Sequence, residues 1–193
     1  MDRHAERYLW RYKTPNGFDN LLMCGIITDD GQYLTELIFE NSNDIGKLSI
    51  NGEFKYIDVF AETKAWLDIY FAGGIPDFTP RYLIENPTPF RKKVSDIMLR
   101  IPYGKTTTYN SIAAEIATNA GIAKMSAQAV GGAVGWNPIC IIVPCHRVVG
   151  SNGCLTGYGG GIRNKVALLK LEGNDMSRFT LPKQKKLNNI SSV

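Results

Sequence analysis

The segment IPDFTPRYLIENPTPF, residues 75–90, carries four prolines. Proline fixes φ and lacks an N–H, so neither a long helix nor a central strand can run through it. The chain is therefore expected to build structure on either side of a linker, with a boundary near Glu85. At 193 residues, 44% of them hydrophobic, it can bury a core without disulfide staples.

Before the prolines the patterns are those of a small sheet and one helix. LLMCGIITDDGQYLTELIFE reads as two strands joined at Asp29, Asp30 and Gly31, residues suited to a hairpin turn. ETKAWLDIYFAG then spaces Ala65, Trp66, Ile69, Tyr70 and Ala72 as a helix would, and Gly73, Gly74 and Pro76 stop it.

After the prolines the spacing is helical. Phe90, Val94, Ile97, Met98 and Ile101 form one stripe that ends at Pro102 and Gly104. TTTYNSIAAEIA follows, with threonines able to cap and apolar residues at Tyr109, Ile112, Ala113 and Ile116. SAQAVGGAVG opens at the potential N-cap Ser126 and is expected to stay helical to Asn137-Pro138. Two short helices joined by a loop suggest a helix-turn-helix. The small side chains of the second suit close packing on another helix and close approach to a nucleic-acid groove equally.

IIVPCHRVVG, residues 141–150, sets one of only two histidines, His146, beside Cys145. Apolar Ile139 to Val143 reads as a buried strand that Pro144 terminates, leaving Cys145 at its end. Neighbouring side chains of an extended strand point to opposite faces, so the pair requires a bend or a bridging water. A thiol is made nucleophilic by losing its proton, and His146 is the base available for it. The imidazolium so formed needs an anion, for which Glu172 at the end of KVALLKLEG is a candidate. Next comes GSNGCLTGYGGGIRNK, with six glycines in sixteen residues around Tyr158, a loop that can fold its backbone polar groups around a flat ligand.

Composition narrows the remaining choices. A formal net charge of +4 favours a polyanionic partner. Cys24, Cys140, Cys145 and Cys154 include no C-x-x-C pair, and with His4 and His146 they supply no zinc-ligand set, so no metal is expected. With neither a signal peptide nor a membrane-length apolar run, a reduced, cytoplasmic protein that meets no membrane is expected. Residues 176–193, with Arg178, Lys183, Lys185 and Lys186 and no acidic residue, read as a basic, disordered tail.

GWNPICIIVPCHRVVGSNGCLTGYGGG resembles the O6-alkylguanine-DNA alkyltransferase family, whose P-C-H-R-V signature is highly specific. The likeness extends through TPFRKKVSDIMLRIPYGKTTTYNSIA and LEG, from about Pro87 to Gly173. It implies an α+β protein: a small N-terminal RNase H-like α/β domain over residues 1–85 and a winged-helix-like domain over 86–175. It also implies a monomer without cofactor that acts on double-stranded DNA containing O6-alkylguanine, with O4-alkylthymine as a second substrate. Cys145 would take the alkyl group once and keep it as a thioether.

The same resemblance assigns roles to individual residues. His146 would act as base through a water, Glu172 would orient it, and Asn137 would brace the turn before the cysteine. Tyr109 would crowd the target's 3′ phosphate and meet the extruded base with its hydroxyl. The carbonyls of Cys145 and Val148 would accept from the guanine amino group, Tyr158 would pack on the base, and the Gly159 N–H would donate to O6. Lys165 would stand near this pocket. Ala127, Ala129, Gly131 and Gly132 would let the helix enter the minor groove, with Arg91, Asn110 and Ser151 on the DNA backbone. Gln128 departs from the family, many of whose members place an arginine where the base has left.

Three other readings compete. A non-enzymatic alkylguanine-binding protein would have no use for Cys145. A helix-turn-helix transcription factor would carry base-reading side chains on its second helix, where only Gln128 qualifies. A redox cysteine would need a resolving partner that the C-x-x-C count does not supply.

Overall fold

The computed structural model describes residues 6–42 and 52–181. Four strands, β1 (Arg7–Tyr12), β2 (Leu21–Thr28), β3 (Gly31–Phe39) and β4 (Glu53–Phe54), form one sheet in the order β3-β2-β1-β4. The β2–β3 hairpin turns at Asp29 and Asp30, with Thr28 opposite Gly31, as expected. β4 runs parallel to β1, and the other pairs are antiparallel.

Helix α1 (Asp58–Phe71) packs on this sheet through Val59, Phe60, Thr63, Trp66, Leu67, Tyr70 and Phe71. The buried stripe is rotated from the expected one: Ala65 and Ile69 face solvent, because Phe60 and Leu67 offer more apolar area to the core. The remaining elements are α2 (Pro89–Leu99), β5 (Thr107–Thr108), α3 (Tyr109–Ala120), α4 (Ala127–Val134), β6 (Val148–Val149) and α5 (Ile162–Leu171). β5 and β6 pair in parallel as a second, two-stranded sheet.

The helix starts follow local chemistry. Thr88 caps α2 by accepting from Arg91 N at 3.3 Å, and Pro89 fills the first position, where no N–H is needed. Thr108 caps α3 by accepting from Ser111 N at 3.0 Å, and Ser126 caps α4 by accepting from Ala129 N at 3.3 Å. Helix α4 stops at Val134, short of the expected Asn137-Pro138. The residue before a proline is pushed out of the helical region, so the chain leaves through turns at Trp136 and Asn137.

The outer edge of β3 governs the site. Leu34 bonds the proline-rich segment through Arg81 O (2.9 Å) and Leu83 N (2.8 Å). Leu37 bonds the stretch after α4 through Pro138 O (2.8 Å) and Cys140 N (2.9 Å). One hydrophobic cluster extends from Tyr8 to Leu168 across both sides of the prolines.

Two further expectations change. Ile139 to Val143 is no strand: only Ile139 bridges Leu37, and the segment curls so that Val143 N donates back to Ile139 O at 3.0 Å. Ile141 sits at φ 69°, a conformation a β-branched residue adopts only under constraint from its surroundings. Residues 176–181 are folded rather than disordered. Met176–Arg178 forms a 3-10 turn, Thr180 bridges Cys154, and Met176 and Phe179 cover Val149, Leu155 and Leu169. His4, Lys183, Lys185 and Lys186 lie outside the described residues. Among the described residues no helix is long and apolar enough to cross a membrane, and no cluster of His, Cys, Asp and Glu could hold a metal ion.

Candidate active site and nucleic-acid interface

The curl from Ile139 to Cys145 is tied together by one buried side chain. Asn137 Nδ2 donates to Ile139 O (3.2 Å), Val143 O (2.8 Å) and Cys145 Sγ (3.1 Å), while its Oδ1 accepts from Ile139 N (3.1 Å). A carboxamide supplies both donors and acceptor, which no aliphatic or acidic side chain of that size does. Asn137→Ala is expected to cost about 2–4 kcal/mol in chemical denaturation by stranding buried backbone groups. Asn137→Asp, which keeps the acceptor but loses the donors, is expected not to restore it.

Pro144 then turns the chain, and Cys145–Arg147 makes a single 3-10 turn. The bend anticipated for the Cys–His pair is there, and it sends successive side chains into different surroundings. His146 is fully buried, with Nε2 2.8 Å from Glu172 Oε1. Arg147 brings its Nε to both oxygens of Glu172 at 3.1 and 3.0 Å and its second amine to Oε1 at 2.8 Å. Its remaining amine donates to Ile101 O at 2.7 Å. Gly104 N donates to Oε2 at 3.2 Å, where φ +70° and the approach of Glu172 O leave no room for a Cβ.

These contacts decide the charges. Burial alone would favour a protonated Glu172, but the hydrogen bonds of His146 and Arg147 and the guanidinium charge prevail and lower its pKa to about 2. Burial pushes the His146 pKa down, against the upward pull of Glu172. A neutral imidazole beside a carboxylate carries its proton on Nε2, leaving the lone pair on Nδ1. Nδ1 is buried with no hydrogen-bond partner among the described residues.

Lys165 on α5 is fully buried and, among the described residues, has no carboxylate bonded to it. Its Nζ donates to Val148 O at 2.6 Å and Thr156 O at 3.3 Å, joining the strand after the cysteine to the glycine-rich loop. Burial lowers its pKa to about 8, while Cys145 and Cys154 pull it upward. The Tyr158 ring lies 5.8 Å from that nitrogen. Gly159 is half-buried inside the turn closed by Gly161 N to Tyr158 O at 3.1 Å. The Cys145 carbonyl accepts from Val148 N, and Lys165 bonds the Val148 carbonyl.

Outside this buried set runs a groove of about 410 Å³, lined by Tyr109, Asn110, Ala127, Gln128, Gly131, Ser151, Thr156 and Gly157. Tyr109 closes its floor by donating to Thr156 O at 3.1 Å, and burial next to Cys145 pushes its pKa up to about 12. Asn110 Nδ2 donates to Ser151 Oγ at 3.1 Å across the groove.

The groove gathers Tyr109, Asn110, Ala127, Gln128, Gly131 and Ser151, and omits three residues expected there, among them the exposed Gly132. Ala129 is exposed on another face of α4, and Arg91 lays its guanidinium 4.4 Å from the centre of the Trp136 ring. Reading the residues one by one missed Arg147 and Tyr70, both bonded to Glu172. Arg147 lay inside the P-C-H-R-V signature, whereas the helical spacing around Tyr70 marked it only as core.

This arrangement defines a class: an α+β protein that sets a buried cysteine next in sequence to a buried His–Glu pair, beside a helix-lined groove. The family model for the DNA-binding domain of 6-O-methylguanine DNA methyltransferase matches residues 89–174. The methylated-DNA-protein-cysteine methyltransferase of Mycobacterium leprae is 41% identical over 152 residues, 76% of this chain and 84% of that protein. The crystal structure of Mycobacterium tuberculosis O6-methylguanine methyltransferase matches with a TM-score of 0.69 at 36% identity, covering 86% of this chain and 92% of that one. Mycobacterium tuberculosis OGT in complex with DNA matches at 0.68 and 35%, covering 90% and 94%. The chain belongs to the methylated-DNA-protein-cysteine methyltransferase family.

Proposed function

We propose that the protein repairs DNA by turning O6-alkylguanine out of the duplex and moving the alkyl group, once and irreversibly, onto Cys145. The observation that carries this reading is the setting of Cys145, whose sulfur accepts from the buried Asn137 and whose neighbour in sequence, His146, is paired with Glu172. A cysteine serving only as core needs neither.

The chemistry follows from the donors and acceptors present. The Nδ1 lone pair of His146 takes the thiol proton through a water, and Glu172 stabilises the imidazolium. Sulfur forms a bond to the alkyl carbon as the carbon–O6 bond breaks. The electron pair passes to O6, where the Gly159 N–H donates to the growing charge, and the proton held by His146 returns through water to leave neutral guanine. The thioether is a poor leaving group, so the protein is spent.

The target base is stacked in duplex DNA, and extrusion costs a few kcal/mol, less when the lesion is poorly paired. Ala127 and Gly131 let α4 lie in the minor groove, with Gln128 beside the vacated position. Asn110 and Ser151 contact the DNA backbone, and Arg91 stiffens Trp136 at the end of α4. Tyr109 meets the base through its lone pairs or by exchanging its bond to Thr156, and Tyr158 packs on the purine with Lys165 beneath the loop. Strand order β3-β2-β1-β4, with β4 parallel to β1, supports an RNase H-like reading of residues 1–85. The α3–α4 pair supports a winged-helix-like reading of residues 86–175. One site per chain suits a cytoplasmic monomer that uses no cofactor.

Two experiments probe this. Methyl groups lost from O6-methylguanine duplexes, plotted against protein added, should rise with a slope of one and stop. Continued loss at substoichiometric protein would refute single use. Gln128→Arg adds a cation and should tighten duplex binding severalfold at low salt, steepening the salt dependence of log K by up to about one. Fluorescence anisotropy across salt concentrations reads both, and an unchanged slope would show that Gln128 does not face the DNA.

A further inference from the structure

Tyr70 comes from α1, before the proline-rich segment, yet its hydroxyl donates to Glu172 Oε1 at 2.7 Å and lies 3.4 Å from His146 Nε2. The side chain is fully buried and its ring is fixed on three sides. It stacks on Trp66 at 5.4 Å and meets Phe71 and Tyr103 edge-on at 5.6 and 6.0 Å. A phenol placed only to fill volume would not need a carboxylate for its oxygen.

Glu172 Oε1 thus receives three side chains: Tyr70, His146 and Arg147. Each added donor drains density from the oxygen and weakens its hold on the others. We propose that Tyr70 is a positioning residue for alkyl transfer, reaching across from α1 to hold Glu172 against His146 and to temper the carboxylate's pull on the imidazole proton. The proposal rests on His146 acting as the base. A base is useful only while neutral, and an unshared carboxylate would favour the imidazolium before any thiol is met.

The groups acting on this pair come from every packed element: Tyr70 from α1, Tyr103 from the turn after α2, Arg147 from the 3-10 turn and Lys165 from α5. Arg147 and Lys165 oppose protonation of His146 by charge. Tyr70 differs in opposing it by hydrogen bonding alone. Burial and the adjacent Glu172 hold its phenol well above the ordinary range, so it stays a donor throughout.

Tyr70→Phe keeps the ring and removes only the oxygen. The acid limb of the transfer rate, measured in single turnover between pH 4.5 and 9, should move up by about one pH unit. Affinity for undamaged duplex should be unchanged. Replacement of Tyr70 by 3-fluorotyrosine, a slightly stronger donor of nearly the same size, should move the limb the other way, and it serves as the test if the phenylalanine variant does not fold. Limbs that coincide with the parent's in the folded variants overturn the proposal, whatever happens to their melting temperatures. A limb that persists in His146→Ala overturns the base assignment itself, and the Tyr70 role with it.

Discussion

Glu172→Gln is expected to remove roughly 3–5 kcal/mol of folding stability, lower Tm by about 10 °C and slow alkyl transfer about a hundredfold or more. The carboxylate is the shared acceptor for Tyr70, His146, Arg147 and Gly104 N. An amide of the same shape has one acceptor oxygen and turns its NH2 toward groups that are themselves donors. Arg147 is buried and would be left as an uncompensated cation. The acid dependence of folding gives an independent reading. Because the folded pKa of Glu172 is lowered to about 2, the stability it contributes is present above its unfolded value near 4.5 and is lost as pH falls toward 2. That loss amounts to roughly 3 kcal/mol in the parent. In Glu172→Gln this part of the acid limb should vanish, and denaturation midpoints from pH 2 to 6 would show it.

Cys145→Ser should reduce transfer by roughly a thousandfold or more while leaving duplex affinity intact. A hydroxyl is a far weaker nucleophile than a thiol that has lost its proton, even beside the same imidazole. The groove proposed to take the duplex is lined by other residues, so binding is expected not to depend on the sulfur. Cys154→Ser should retain transfer, since Cys154 serves in the bridge to Thr180. Equal loss in both variants would mean that the thiols matter to folding and not to chemistry.

Much of the scaffold was legible because the determinants are local. Asp29 and Asp30 marked a hairpin, and Thr108 and Ser126 marked helix starts, since a cap needs only neighbours in sequence. The Cys–His pair required a bend or a bridging water by strand geometry, and a bend formed. Ile139 to Val143 misled because an apolar β-branched run scores as strand, whereas the side-chain amide of Asn137 satisfies the backbone groups a ladder would have used. Tyr70 was hidden for a different reason. A helix period reports which face is buried, and is silent about what a buried hydroxyl meets on a segment 102 residues further along the chain. Arg91 shows the converse, a cation whose neighbour Trp136 is reached only through the tertiary fold.

The central claim is that one sulfur atom receives and keeps the lesion's alkyl group. Protein incubated with excess O6-methylguanine duplex, then digested and weighed, tests it directly. The peptide containing Cys145 should gain the mass of one methyl group in full yield and hold it through prolonged incubation, with Cys24, Cys140 and Cys154 unmodified. Demethylated DNA alongside an unmodified Cys145 peptide would contradict the account.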